Sequence, residues 1–185
     1  MNQQGTQILK DSFGQLSGLP CWGVKRGHGT SLTLEFGQPH LRIREPEVDP
    51  LAESLGKHRC VSVAGQHHLW LHLGDWEISY EGEQIASSNS EQDQIDRGTF
   101  LLDGQILTKF VQQRSPTESQ FHFDLGGKLV IRKYIISAAD EELWHFYSGD
   151  SVLSLLSSGI LEYGAKDETS DESAKFECEP LIFAV

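Results

Sequence analysis

Apolar and polar residues alternate with a period of two along much of this chain. The alternation is most sustained in residues 60–80, CVSVAGQHHLWLHLGDWEISY. Side chains two apart on a β-strand point the same way. Leu69, Leu71 and Leu73 therefore share one face, and His68, Trp70 and His72 share the other. After Gly74 the apolar register moves to Trp76, Ile78 and Tyr80. An extra residue at a bulge produces such a change of parity, so the pattern predicts one long strand bent near Gly74. A turn at Gly74-Asp75 that splits two strands is the alternative.

Shorter alternating runs surround this stretch. Residues 31–36 (SLTLEF) and 39–44 (PHLRIR) flank Gly37-Gln38 and read as a first hairpin, and Val61 and Val63 continue the pattern as inward positions. Residues 106–111, 121–125 and 128–134 read as strands, the last two joined by Gly126-Gly127 as a type I′ turn. Strands at 143–147, 152–156 and 160–163 follow at antiparallel spacing, and 181–185 reads as a final docked strand. The three glycines of 21–29 (CWGVKRGHG) lack the pattern of a phosphate-binding loop and suit a tight loop or bulge.

Helical periodicity is scarce. Residues 87–103 carry it, with Ser90 as the expected cap, Ile95, Thr99 and Leu102 on the buried side, and Gly98 as a weakness. Residues 1–20 place Ile8, Leu9, Phe13 and Leu16 at approximate helical spacing, but Gly14, Gly18 and Pro20 interrupt them. An irregular arm or short helical turn is expected there. A further helical turn is expected after Asp49-Pro50. Residues 165–175 are small, polar and acidic and read as a mobile segment. About ten strands and one short helix near residues 90–102 make a mainly β chain. It is expected to form a single domain over residues 1–185, a two-sheet antiparallel β-sandwich, with a partly open barrel as the alternative.

Charge narrows the partners. The net charge is −12, and residues 135–185 hold eleven acidic against two basic side chains. That balance argues against nucleic acid, which needs a basic footprint, and suits a basic protein partner or solubility alone. No apolar run approaches the roughly 20 residues of a membrane span. Three unpaired-looking cysteines (Cys21, Cys60, Cys178) and the lack of a signal-like N-terminus point to the cytoplasm. Self-association through an edge strand, as a homodimer, is a further reading.

Histidine is the most suggestive chemistry. His68 and His72 share a face with Trp70, but four residues of strand separate them by about 13 Å, too far to chelate one ion alone. Spacing therefore does not support a metal, and no cofactor is assigned. A metal would need partners from other strands, such as His40, His122, Asp75 or Glu77. His68, Trp70, His72, His122 and His40 are the candidate binding residues. No catalytic residue is assigned, because nucleophile-elbow and cysteine-protease signatures are absent. The expected function is a non-enzymatic protein-binding or accessory protein of an immunity-like kind, acidic and neutralising a basic partner. An enzyme, or a small-molecule or metal-binding protein using the His68/Trp70/His72 face, is the alternative.

The segments PCWGVKRGHGTSLTLEFGQPHLRIREP, HHLWLHLGDWEI and FHFDLGGKL resemble those of a group of small uncharacterised bacterial proteins. The resemblance spans about residues 20–130. It implies a bacterial, cytoplasmic origin and brings no activity and no site residue.

Overall fold

Three antiparallel sheets and two helices make up the computed structural model, which describes residues 3–45, 59–114, 117–134, 140–166 and 172–185. With strands numbered along the chain, the larger sheet runs β1 (Cys21–Arg26), β2 (Leu32–Phe36), β5 (His67–Leu71), β11 (Glu142–Ser148), β12 (Ser151–Leu156), β13 (Ile160–Ala165), β14 (Ala174–Glu177). The second sheet runs β15 (Leu181–Ala184), β8 (Leu107–Arg114), β9 (Thr117–Phe123), β10 (Gly127–Arg132), β6 (Asp75–Tyr80), β7 (Glu83–Ser87). β3 (His40–Arg44) and β4 (Cys60–Ala64) form a separate two-stranded ribbon. Neither large sheet closes on itself, so the fold is a β-sandwich and not a barrel.

The inner faces supply one core. Leu34, Leu69, Leu71, Trp144, Phe146 and Leu153 come from the larger sheet, and Trp76, Ile78, Phe110, Phe121, Leu129 and Ile131 from the smaller. The indole N–H of Trp144 (β11) donates to Ser119 Oγ (β9) at 2.8 Å and ties the layers together. At this depth a buried indole N–H without an acceptor would be costly.

The N-terminal segment is a helix, α1 (Gln3–Gly14), and not an irregular arm. Leu9, Phe13 and Leu16 are buried, and the Phe13 ring stacks on Phe110 at 4.6 Å and meets Trp144 and Phe146 at 5.6 and 5.0 Å. One residue thus touches both sheets. Gly14, Gly18 and Pro20 stand at or beyond the last turn, where they end the helix instead of interrupting it. The second helix, α2 (Gln92–Leu102), buries Ile95, Gly98, Thr99 and Leu102 as the periodicity predicts. Its N-cap is Glu91, with no side-chain cap bond, while Ser90 Oγ instead accepts the Ser87 N–H. Gly98 is a close-packing contact, since a Cβ there would lie 3.0 Å from Ala86.

Residues 67–80 are two strands, not one bent strand. β5 belongs to the larger sheet and β6 to the smaller, and residues 72–74 cross between them. Both sheets face the same core from opposite sides, so crossing over, and not a bulge, changes the inward parity. Gly74 passes so close that a Cβ would lie 2.9 Å from the Arg132 carbonyl oxygen and 3.2 Å from Leu143.

The expected 31–44 hairpin is also absent. β2 bonds to β1 on one side and β5 on the other, which leaves no edge for β3. β3 pairs with β4, and the ribbon turns Leu41, Ile43, Val61 and Val63 to solvent, each more than half exposed. Val61 and Val63 are therefore not inward. The first hairpin is β1–β2, with a bulge between Trp22 and Lys25 where Gly23 takes a positive φ. In the β9–β10 turn only Gly126 has positive φ, and Gly127 already belongs to β10. The meander of β11, β12 and β13 and the terminal β15 agree with expectation. The turn expected after Asp49-Pro50 and residues 167–171 of the acidic segment lie outside the described residues.

Candidate functional site

The outer face of the larger sheet concentrates polar side chains that strand register sets side by side. One cross-strand row reads Thr33, Trp70, His145, Ser154, Glu162, Lys175. The next reads Glu35, His68, Tyr147. Glu35, His145, Ser154 and Glu162 are buried despite facing away from the core. Buried polar groups need partners, and each of these has one. His145 Nδ1 lies 2.7 Å from Ser154 Oγ, and Lys175 Nζ lies 3.0 Å from Glu162.

At one end of the face His72, Glu142 and His145 converge. Glu142 Oε2 is 3.3 Å from His72 Nδ1 and 3.2 Å from His145 Nε2, and the three ligand-capable atoms lie within 4.8 Å of one another. Spacing along β11 alone would not bring this about, because residues three apart on a regular strand point to opposite faces. The register against β12 jumps between Glu142 and Trp144, so Leu143 is the extra residue of a bulge. Leu143 and Trp144 both turn inward, and Glu142 is re-aimed onto the face of His145. The His72 and Leu73 N–H groups bond to the carbonyls of Leu143 and Glu142 at 2.9 and 3.0 Å, which holds the two segments in register. Trp70 packs on His72 with ring centres 4.3 Å apart. Burial holds the His145 pKa below its usual value, although the Glu142 carboxylate opposes the shift, so the ring is neutral near pH 7.

Beside this cluster is a cavity of about 420 Å³ between β3 and the sheet face, walled by Arg42, Arg44, His68, Trp70, Tyr147 and Lys166. A neighbouring hollow of about 500 Å³ shares Arg42, His68, Tyr147 and Lys166 and adds His40 and Asp150. Glu35 underpins the wall. Its Oε1 is 2.9 Å from His68 Nδ1, and its Oε2 accepts the Gly65 N–H at 2.9 Å. Burial by itself would raise the Glu35 pKa. The bonds from His68 and Gly65, with Arg42 further off, outweigh burial and hold it below the usual carboxylate range. Tyr147 is shifted up by burial and by Glu142.

Of the five residues singled out by sequence, His68 and Trp70 line the 420 Å³ cavity, and His40 joins His68 at the neighbouring hollow. His72 belongs to the cluster with Glu142 and His145. His122 stands apart. It lies on β9 beside Gln120, on the outer face of the other sheet, where burial and then Lys109 and Lys128 lower its pKa. Asp75 and Glu77 are on β6, bonded to Ser88 and near Arg132. Neighbouring strands do supply partners for His72, but they are Glu142 and His145. Glu35, Arg42, Tyr147, Glu142, His145 and Lys166 escaped sequence reasoning. The one available signal was His145 itself, a polar residue inside the apolar run LWHFY. Cys21 is buried and its pKa is pushed up to about 12 by burial and by Asp103, which removes it as a nucleophile. No helix among the described residues is long and apolar enough to cross a membrane. No protein-family model matches the chain, no curated protein matches its sequence, and no solved structure matches its fold.

Proposed function

We propose that this protein is a non-enzymatic binder of a small anionic ligand, seated between the β3–β4 ribbon and the outer face of the larger sheet. The observation that carries this reading is the meeting of Arg42, Arg44 and Lys166 on one cavity in a chain of net charge −12. Glu35, the carboxylate beneath them, already accepts from His68 and Gly65, so it neutralises the wall only in part. Guanidinium forks match the geometry of carboxylate and phosphate oxygens, and a volume near 420 Å³ is in the range of small-ligand pockets. Trp70 and Tyr147 add ring surface for an aromatic or sugar moiety. The aliphatic hydroxyl at the wall, Thr33, donates to the Lys25 carbonyl, and His68 is engaged by Glu35, so the two are not paired as nucleophile and base. A cytoplasmic location, with Cys60 kept as an exposed thiol, belongs to the same proposal.

Calorimetric titration with inorganic phosphate, citrate and a nucleoside monophosphate tests it. Saturable binding of at least one probe, weakened about tenfold or more by Arg44→Glu and by Lys166→Glu, is expected. Lack of saturable binding by all three, or affinity unchanged in both variants, overturns the reading.

A second reading, an interaction protein, is favoured by the ribbon. Leu41 lies opposite Val63 and Ile43 opposite Val61, and together they form an exposed apolar strip. A self-paired dimer predicts a sedimentation coefficient that rises with concentration and stops rising in Ile43→Lys. A basic partner predicts capture at low salt that is lost at high salt.

A further inference from the structure

Beyond anion binding, the cluster at the end of β5 and β11 brings three ligand-capable atoms within 4.8 Å of one another. In a tetrahedral site with bonds of about 2.0–2.1 Å, neighbouring ligand atoms stand about 3.4 Å apart. Glu142 Oε2 is 3.3 Å from His72 Nδ1 and 3.2 Å from His145 Nε2. The second nitrogen of His145 is also occupied. In the tautomer whose Nδ1–H donates to Ser154 Oγ, 2.7 Å away, the Nε2 lone pair faces the Glu142 carboxylate and is free to take a cation. The hydroxyl is then the outer partner that fixes the tautomer of a metal-bound imidazole.

The surroundings suit an ion. The His145 side chain is 9% exposed, whereas His72 and Glu142 are 31% and 42% exposed, so one side of the cluster is open to water. The backbone bonds of His72 and Leu73 to β11, with the bulge at Leu143, hold the donors in place before an ion arrives. Two imidazoles and one carboxylate suit a borderline ion such as Zn²⁺ over Ca²⁺ or Mg²⁺, which take oxygen ligands. We infer that His72 Nδ1, His145 Nε2 and the Glu142 carboxylate bind one divalent transition-metal ion of the zinc class, with solvent in the remaining position.

The test uses the full chain made without a histidine tag and stripped with a chelator. Titration with Zn²⁺ alone is expected to give one ion per chain and to change tryptophan fluorescence, because Trp70 lies against His72. Co²⁺ loading is expected to give the visible bands of a tetrahedral site. His72→Ala and Glu142→Ala, both at partly exposed positions, are expected to weaken Zn²⁺ binding about 100-fold, and Ser154→Ala about 10-fold. Arg44→Glu and Lys166→Glu are expected to leave it unchanged, which separates this inference from the anion reading. A wild-type chain that binds no Zn²⁺ saturably, or His72→Ala and Glu142→Ala variants that bind it undiminished, overturns the inference. The second result would place the ion elsewhere even if His145→Ala fails to fold.

Discussion

Replacing Glu35 tests whether the cavity wall is held as the geometry says. The two carboxylate oxygens serve different donors: Oε1 faces His68 Nδ1, and Oε2 accepts the Gly65 N–H, both at 2.9 Å. Gly65 has nowhere to go for another partner. A Cβ there would already sit 2.6–2.9 Å from backbone atoms of Phe36 and His67. Glu35→Ala therefore orphans a confined amide and should cost about 1–3 kcal/mol. Glu35→Gln is gentler. Its Oε1 can accept from Gly65 while its amide N–H donates to Nδ1 of a neutral His68 in the other tautomer, so a loss below about 1 kcal/mol is expected near neutral pH. The pH dependence separates charge from shape. The folded-state pKa of Glu35 lies below the unfolded value of about 4.3, so its contribution is complete above that value and fades as pH falls through the folded pKa. Wild type should lose stability relative to Glu35→Gln in that window, by at most about 1.4 kcal/mol per pH unit for one proton. Urea unfolding followed by tryptophan fluorescence, from about pH 3 to pH 8, reads both effects. A Glu35→Ala variant within about 0.5 kcal/mol of wild type, or an acid limb identical in Glu35→Gln, would refute the reasoning.

Three further outcomes are expected. Trp144→Phe removes the donor to Ser119 across the sandwich and leaves unfilled volume, for a loss of about 2–3 kcal/mol and a fall in Tm of about 5–10 °C by calorimetry. A fall below about 2 °C would show that the inter-sheet bond is dispensable. Gly74→Ala should cost about 1–3 kcal/mol in urea unfolding, because the new methyl meets the Arg132 carbonyl and Leu143, and a neutral result would place the crossover differently. With a colorimetric disulfide reagent one thiol per chain, Cys60, should react in the native protein, and Cys21 and Cys178 only after unfolding. A second fast thiol would contradict their burial.

How far the sequence carries the fold depends on whether each pattern had one physical cause. The alternation of Leu69 and Leu71, the periodicity of Ile95, Thr99 and Leu102, and the three-strand meander after Glu142 each reflect burial against a core, and each was legible. The pattern of Leu41, Ile43, Val61 and Val63 looks the same on paper, yet it belongs to a ribbon whose apolar side meets solvent. Period-two spacing shows that residues share a face. It does not say whether anything covers that face. The change of parity at Gly74 was similarly open, since a bulge and a crossing between sheets produce the same letters, and only the non-local pairing of β6 with β10 decides between them.

The site was half legible for the same reason. Placing His68 and Trp70 together needed only the strand period, whereas joining His72 to Glu142 and His145 required two facts that act at a distance. Pairing of β5 with β11 sets Trp70 opposite His145, across about 75 residues of chain, and leaves His72 one step beyond. The bulge at Leu143 then turns Glu142 to the same side as His145, against the ordinary parity of a strand. Distance along the strand argued against a shared ion for His68 and His72, but the residues brought to His72 are Glu142 and His145. Removing the bulge while keeping all three side chains should separate the two ideas. A Leu143 deletion would leave Glu142 two residues before His145, on the same outer face of an unbulged strand, so Zn²⁺ binding should persist although the bulge is gone. If that deletion variant folds and loses Zn²⁺ binding, the parity account of how the cluster assembles is wrong.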